Sequence, residues 1–208
     1  SVLEGASIVV LAVKPQEFPA AARGLSLKPG QTVMSIMAGV TIAAIRDALH
    51  HDAIVRAIPN TPAQIGEGMT VWTATEAVPE PAREEVRGIL AVLGQELYVD
   101  DEKYVDMATA VSSSGPAYVF LVMEAWIDGA VHIGLRRDVA QRMVIQTILG
   151  SAKYAQVTGK HPADLRNQVT SPAGTTTEGL RALEKAGLRL AFIEAIQAAY
   201  DKARRLGG

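Results

Sequence analysis

The β-type signal stops after Asp100, and this switch constrains the chain more than any other feature. Before it, short apolar runs alternate with helical stretches. "ASIVVLAV" (Ala6–Val13) is nearly continuous in apolar residues, as in a parallel strand covered on both faces. Further strands are expected over Gln31–Met37, Ala53–Ile58, Met69–Ala74 (alternating in pattern) and Gln95–Val99. Helices are expected between them: Gln16–Leu25, Thr41–Leu49 with Thr41 as N-cap, and a proline- and acid-led helix over Pro79–Gly94 ending at Gly94. Strands and helices at these spacings predict a doubly wound sheet.

After Asp100 the pattern is helical throughout. Helices are expected at Glu102–Val111, Gly115–Ile133, Arg137–Val157, Pro162–Val169, Thr175–Ala186 and Leu188–Leu206, broken at Gly134, Gly159 and Gly187. The fold class is therefore α/β followed by all-α, with a boundary between residues 1–100 and 101–208. The stretches around Ala117–Val131 and Ala140–Ala155 are apolar on more than one face. Such helices must be covered all round, and a domain this small has little interior to offer. A helical dimerisation domain is the expectation.

Composition narrows the function classes. The 208 residues carry a net charge of -2, which argues against a general nucleic-acid binder. There is no cysteine, so disulfide and thiolate chemistry are excluded. No apolar run has the length of a membrane span, and no signal-peptide pattern is visible; a cytoplasmic protein is expected. The four histidines, His50, His51, His132 and His161, lack the i, i+4 spacing of a helical zinc pair, so no metal site is expected. His50-His51 is expected to close one helix, and His161-Pro162 to open another.

Candidate chemistry concentrates in "NQVTSPAGTTTEGL" (Asn167–Leu180). Thr175 and Glu178 have capping-box spacing, so a good helix start accounts for part of the pattern. One hydroxyl suffices for a cap, yet Thr170, Ser171, Thr175, Thr176 and Thr177 crowd the same turn. Pro172 stiffens it and Gly174 permits close approach. Open amides at a helix start beside several hydroxyls suit a carboxylate or phosphate. Both readings stand at this point. "VSSSGPAYVF" (Val111–Phe120) reads as an N-cap before a long helix. "LAVKPQ" (Leu11–Gln16) and "AIPNTPAQIGEGMT" (Ala57–Thr70) follow strand ends, where open parallel sheets bind ligands, though plain turn chemistry accounts for them equally. No Ser/His/Asp set is apparent, which fits chemistry done by a cofactor.

Taken together, "LAVKPQ", "IPNTP", "SSSGPAYVF" and "VTSPAGTTTEGL" resemble, in order and at compatible spacing, the segments of the Δ1-pyrroline-5-carboxylate reductase family. The resemblance runs from about Ala6 to the C-terminus and is most specific in its last segment. It implies a Rossmann-type sheet holding NADPH (or NADH) and a helical domain that interlocks with a partner's in a homodimer, often assembled into decamers. It further implies reduction of pyrroline-5-carboxylate to L-proline. Ser171 and the N–H groups of Gly174 and Thr175 would hold the substrate carboxylate, with the catalytic hydroxyl of Thr176 near the ring nitrogen. The cofactor residues would be Ala12, Val13, Lys14, Pro15, Met37, Ala38 and Asn60.

The chain departs from that pattern in places. The Gly-x-Gly-x-x-Gly/Ala turn of such a domain is expected upstream of the first strand, and these residues do not contain it. The sheet is therefore expected to be partial. If these residues are the whole protein, weak dinucleotide affinity and an exposed strand follow. Ser113 and Ala173 stand where the family has glycine, and Asn167 where it has aspartate. A helical or extended backbone is expected at Ala173. Two alternatives remain: a cofactor-incompetent dimerisation module, and a 3-hydroxyacid dehydrogenase-like enzyme. Against the second, Gly115–Ile133 lacks the lysine and asparagine such enzymes usually carry there.

Overall fold

The structure, a computed structural model, describes residues 3–206. Residues 1, 2, 207 and 208, the outermost positions of the two expected domains, lie outside them. The chain divides into two compact units, one of residues 1–116 and 195–208, the other Ala117–Glu194.

The first unit is built on a five-stranded sheet: β1 (Ile8–Leu11), β2 (Thr32–Ser35), β3 (Ile54–Ile58), β4 (Gly68–Ala74) and β5 (Gly94–Tyr98), in that spatial order. β1, β2 and β3 are mutually parallel, with Leu11 level with Ser35 and Ser35 level with Arg56. β4 runs antiparallel to β3, and β5 parallel to β4. The sheet is thus mixed rather than uniformly parallel. The cause is the connection over residues 59–67, whose only regular piece is a 3-10 turn at Thr61–Ile65. A parallel return needs a crossover of about a dozen residues or more, so the chain reverses instead.

Alternating side chains send β3 and β4 into two cores. On one face α1 (Phe18–Ala22) and α2 (Ile42–Leu49) cover Leu11, Val33, Met37 and Ile54. α4 (Lys103–Ala108) extends that face by packing Val105 and Ala108 on Ile58 and Val71. On the other, α3 (Glu80–Ala91) lays Val86 and Leu90 over Met34, Val55, Ala57 and Trp72. The polar partners in the alternation of β4, Thr70 and Thr73, are buried as well, because β4 is an interior strand covered on both sides. β1 forms an edge of the sheet among the described residues, and its Val10 is exposed.

Local signals explain the helix ends. Thr41 has extended backbone, and its hydroxyl accepts the Ala44 N–H at 3.1 Å, as an N-cap should. α3 stops at Ala91, and Gly94 opens β5 rather than ending the helix. A Cβ on Gly94 would stand 2.2 Å from the Gly68 carbonyl oxygen, so the two strand starts cross too closely for any side chain there.

Among the described residues of this unit, one charged side chain is buried. Arg56, in β3, is 1% exposed. Its guanidinium donates to Glu102 Oε1 at 2.7 Å and Asp106 Oδ1 at 2.5 Å. The same Glu102 oxygen accepts the Ile42 N–H at 2.8 Å, so one carboxylate joins β3, α4 and the start of α2.

The second unit is entirely helical: most of α5 (Gly115–His132), then α6 (Arg137–Thr158), α7 (Pro162–Gln168), α8 (Thr175–Lys185) and the start of α9 (Leu188–Leu206). The helices fall within a residue or two of expectation. Within this unit Ala140 and Val144 are buried, while Leu121 is 65% and Val157 75% exposed. An apolar groove of ≈ 380 Å³ lies between α5 and α6, lined by residues including Trp126, Ile133, Ala140 and Met143.

Candidate functional site

The parallel pairing of β1, β2 and β3 brings their carboxyl ends to one edge of the sheet. Ala12, Val13, Lys14 and Pro15 follow β1 there, Met37 and Ala38 follow β2, and Asn60 follows β3. The structure thus gathers all seven expected cofactor residues on the side where open α/β sheets bind ligands. What each can offer differs. Lys14 is exposed and leads into a 3-10 turn that starts at Pro15. The Met37 side chain is only 2% exposed and belongs to the core. Its N–H donates to Ser35 Oγ at 3.3 Å. Ala38 packs beside Ile58 and Val105. Asn60 is a latch: its Nδ2 donates to the Ser112 carbonyl at 3.0 Å, and its Oδ1 accepts the Met69 N–H at 2.9 Å. A ligand meets an Asn60 with one amide hydrogen left.

The Ser112 carbonyl belongs to a π-helical turn, Thr109–Ser113, that continues α4. The three serines do not form an N-cap, which corrects the expectation. Ser112 Oγ donates to the Ala108 carbonyl at 3.0 Å and Ser114 Oγ to the Thr109 carbonyl at 2.9 Å. Because the chain runs from α4 through this turn into α5, there is no open helix start to cap.

The hydroxyl-rich turn lies in the helical unit. α7 ends at Gln168, and Thr170 Oγ1 donates back to the Arg166 carbonyl at 2.7 Å. Ser171-Pro172-Ala173-Gly174 then forms a turn closed by the Gly174 N–H donating to the Ser171 carbonyl at 3.1 Å. Ala173 has φ 56°, against the helical or extended backbone expected. Proline at the second position and positive φ at the third fit a type II turn, a geometry that favours glycine at Ala173. The alanine costs about 1 kcal/mol there. At Gly174 a Cβ would stand 2.3 Å from Ser171 Oγ, so glycine leaves that hydroxyl its room.

The capping box is not made. The N-cap is Gly174, Thr175 is the first helical residue, and Glu178 pairs instead with Arg181 at 2.8 Å. The turn displaces the helix start by one residue, which breaks the spacing. Thr177 does two things unforeseen from sequence: its N–H donates to the Gly174 carbonyl at 3.1 Å and its hydroxyl to the Ser171 carbonyl at 3.0 Å. The Gly174 N–H is turned into the loop, so the amides left to a ligand are those of Thr175 and Thr176, beside the exposed Ser171. A helix N-terminus of this kind favours an anion without any cationic side chain.

Sequence reasoning also missed the Arg56 network. A lone arginine inside the apolar strand "AIVRAI" was its signal, since a charge in a buried strand needs partners. The histidines behave as expected. His50 ends α2 in a left-handed conformation, the His51 ring meets the Gln31 carbonyl at 2.7 Å, and His161 Nδ1 accepts the Ala163 N–H at 3.2 Å to cap α7. Among the described residues no group of three or more acidic or histidine side chains could hold a metal, and no helix is long and apolar enough to cross a membrane. Asp101 and Lys103, both about half exposed, pair at 2.7 Å; their hydrogen bond holds the Asp101 carboxyl below its ordinary pKa and the Lys103 ammonium above its own.

Comparison with known proteins agrees across the chain. Residues 102–206 match the family described as pyrroline-5-carboxylate reductase dimerisation. A pyrroline-5-carboxylate reductase of Synechocystis is 43% identical over 203 residues, covering 96% of this chain and 75% of the relative. The crystal structure of Plasmodium falciparum pyrroline carboxylate reductase with NADP bound superposes with a TM-score of 0.91 at 32% identity, over 97% of this chain and 78% of that one. The Streptococcus pyogenes enzyme gives 0.92 at 31%, over 98% and 78%. The ordered strand-end edge, the hydroxyl-rich turn and these likenesses lead to one assignment: the chain belongs to the pyrroline-5-carboxylate reductase family.

Proposed function

We propose that this protein reduces 1-pyrroline-5-carboxylate to L-proline with NADPH or NADH, as an enzyme of proline biosynthesis. The observation that carries the reading is the turn at Ser171–Thr177, with its two open amides and exposed hydroxyl, in a chain that is 43% identical to a named reductase. In this reading the Ser171 hydroxyl and the amides of Thr175 and Thr176 receive the substrate carboxylate. Gly174 contributes mainly by leaving Ser171 Oγ its space, since its own N–H is used in the turn. The Thr176 hydroxyl meets the ring nitrogen and steadies its proton as the imine becomes an amine. The reaction needs no covalent intermediate, so the turn is asked only to bind and orient.

Ala12–Pro15, Met37, Ala38 and Asn60 receive the dinucleotide, the buried Met37 through its main chain. The fit rests on three parallel strand ends opening to one edge, with small side chains at Ala12 and Ala38. When bound, the dinucleotide supplies the hydride. Positioning two rings in this way contributes up to about 7–11 kcal/mol in favourable cases. Residues 1–100 serve as the partial dinucleotide-binding domain, and 101–208 as the dimerisation and substrate-binding domain. The working form is a cytoplasmic homodimer, assembled further into a decamer.

Proline formation from pyrroline-5-carboxylate at saturating dinucleotide tests this reading. Thr176→Ala is expected to lower kcat by about 10-fold or more, the equivalent of one hydrogen bond strengthened by about 1.4 kcal/mol in the transition state. Unchanged kinetics would remove Thr176 from the chemistry. A wild-type protein that forms no proline with either dinucleotide would overturn the reading.

A further inference from the structure

We propose that Thr177 is a positioning residue for substrate recognition, clasping a turn whose backbone the alanine at position 173 disfavours. The inference rests on the reading of the Ser171–Thr176 turn as the carboxylate site. Among the described residues only His50 and Ala173 have positive φ without being glycine. His50 closes a helix, where the left-handed conformation is common. Ala173 has no such setting. It occupies the third position of a tight turn at φ 56°, a conformation that an L side chain resists. A turn built on alanine needs another contact to hold its shape, and Thr177 supplies one.

The contact is well placed. The Ser171 carbonyl accepts two hydrogen bonds, from the Gly174 N–H at 3.1 Å inside the turn and from the Thr177 hydroxyl at 3.0 Å across it. Thr177 also fixes the turn from its main chain, its N–H reaching the Gly174 carbonyl at 3.1 Å. The hydroxyl therefore ties the residue that starts the turn to the first turn of α8. That tie sets where Ser171 Oγ stands relative to the Thr175 and Thr176 amides. Glycine at 174 leaves open the space that a Cβ, 2.3 Å from Ser171 Oγ, would take, so packing on that side does not hold the hydroxyl. Thr177 touches no reacting atom in this arrangement; it acts through Ser171.

A double-mutant cycle tests the clasp. Thr177→Val is expected to raise the KM for pyrroline-5-carboxylate by about 10-fold, the upper range for one hydrogen bond, with kcat within about 3-fold of wild type. Thr177→Ser, which keeps the hydroxyl, is expected to restore KM to within about 2-fold of wild type. Ala173→Gly removes the backbone conflict, so adding Thr177→Val to it is expected to raise KM by less than about 3-fold. An unchanged KM in Thr177→Val overturns the positioning role, as does a Thr177→Ser variant no better than valine. An equal penalty in both backgrounds overturns the link to Ala173. Failure of the underlying reading looks different: a wild type without turnover, or a Ser171→Ala variant with unaltered KM.

Discussion

The two units treat apolar side chains in opposite ways. In the α/β unit Trp72, Ile45, Ile54 and Val55 are wholly buried by helices of the same chain. In the helical unit Leu121, Phe120, Leu149 and Val157 stand mostly in solvent, and an apolar groove opens between α5 and α6. Patches of that extent on a single chain mark surfaces meant to be covered. The difference teaches that one unit covers its core with its own helices, whereas the other leaves apolar faces that self-association would cover. The match of residues 102–206 to a dimerisation family places the incomplete core where that family associates.

The largest effect expected from breaking the comparison lies in the self-sufficient unit. Arg56→Met leaves Glu102 and Asp106 without their buried partner and cuts β3 out of the link that Glu102 makes to the start of α2. Loss of one member of a buried ion pair costs about 3–5 kcal/mol. Chemical denaturation should show that loss. Leu121→Glu in the helical unit comes next. On an isolated chain a residue so exposed would tolerate a charge within about 0.5 kcal/mol. If a second copy covers it, the change costs about 2 kcal/mol or more and lowers the associated fraction. Thermal melts at several concentrations separate the two cases.

A smaller effect with the opposite sign is expected at the turn. Ala173→Gly should raise stability by about 0.5–1 kcal/mol, since relief of the positive φ exceeds the entropy that glycine adds to the unfolded chain. A destabilised variant would show that the turn does not hold Ala173 as described. Least of all should change at the Asp101–Lys103 pair. Its shifts predict stability present above the ordinary carboxylate range and lost as pH falls through the lowered Asp101 value. For Lys103 the contribution is present below the ordinary lysine value and lost as pH rises through the raised one. Between about pH 5 and about pH 9 neither group titrates. Solvent around these half-exposed side chains screens the pair, so the Asp101→Asn melting midpoint should match wild type across that window.

The sequence announced these units unequally. The helices after Asp100 were legible because glycine and proline breaks act locally, as at Gly159, Pro162 and Gly187. Strand positions were legible for the same reason. The reversal at β4 was not, because direction follows from the length of the connection over residues 59–67 and not from the strand's own pattern. The strand-end residues could be picked out by position, yet the Asn60 latch depends on Ser112 and Met69, distant in sequence. At the hydroxyl-rich turn the residue types were plain. The N-cap at Gly174 instead of Thr175, the backbone of Ala173 and the inward Gly174 amide arise from the closed loop as a whole.

Sedimentation velocity of the wild-type chain, at concentrations down to about 1 μM, tests the claim of an incomplete helical core most directly. A species of two or more chains that persists through dilution is the predicted result. A single chain at every concentration, with the α5 and α6 faces left in water, would contradict it.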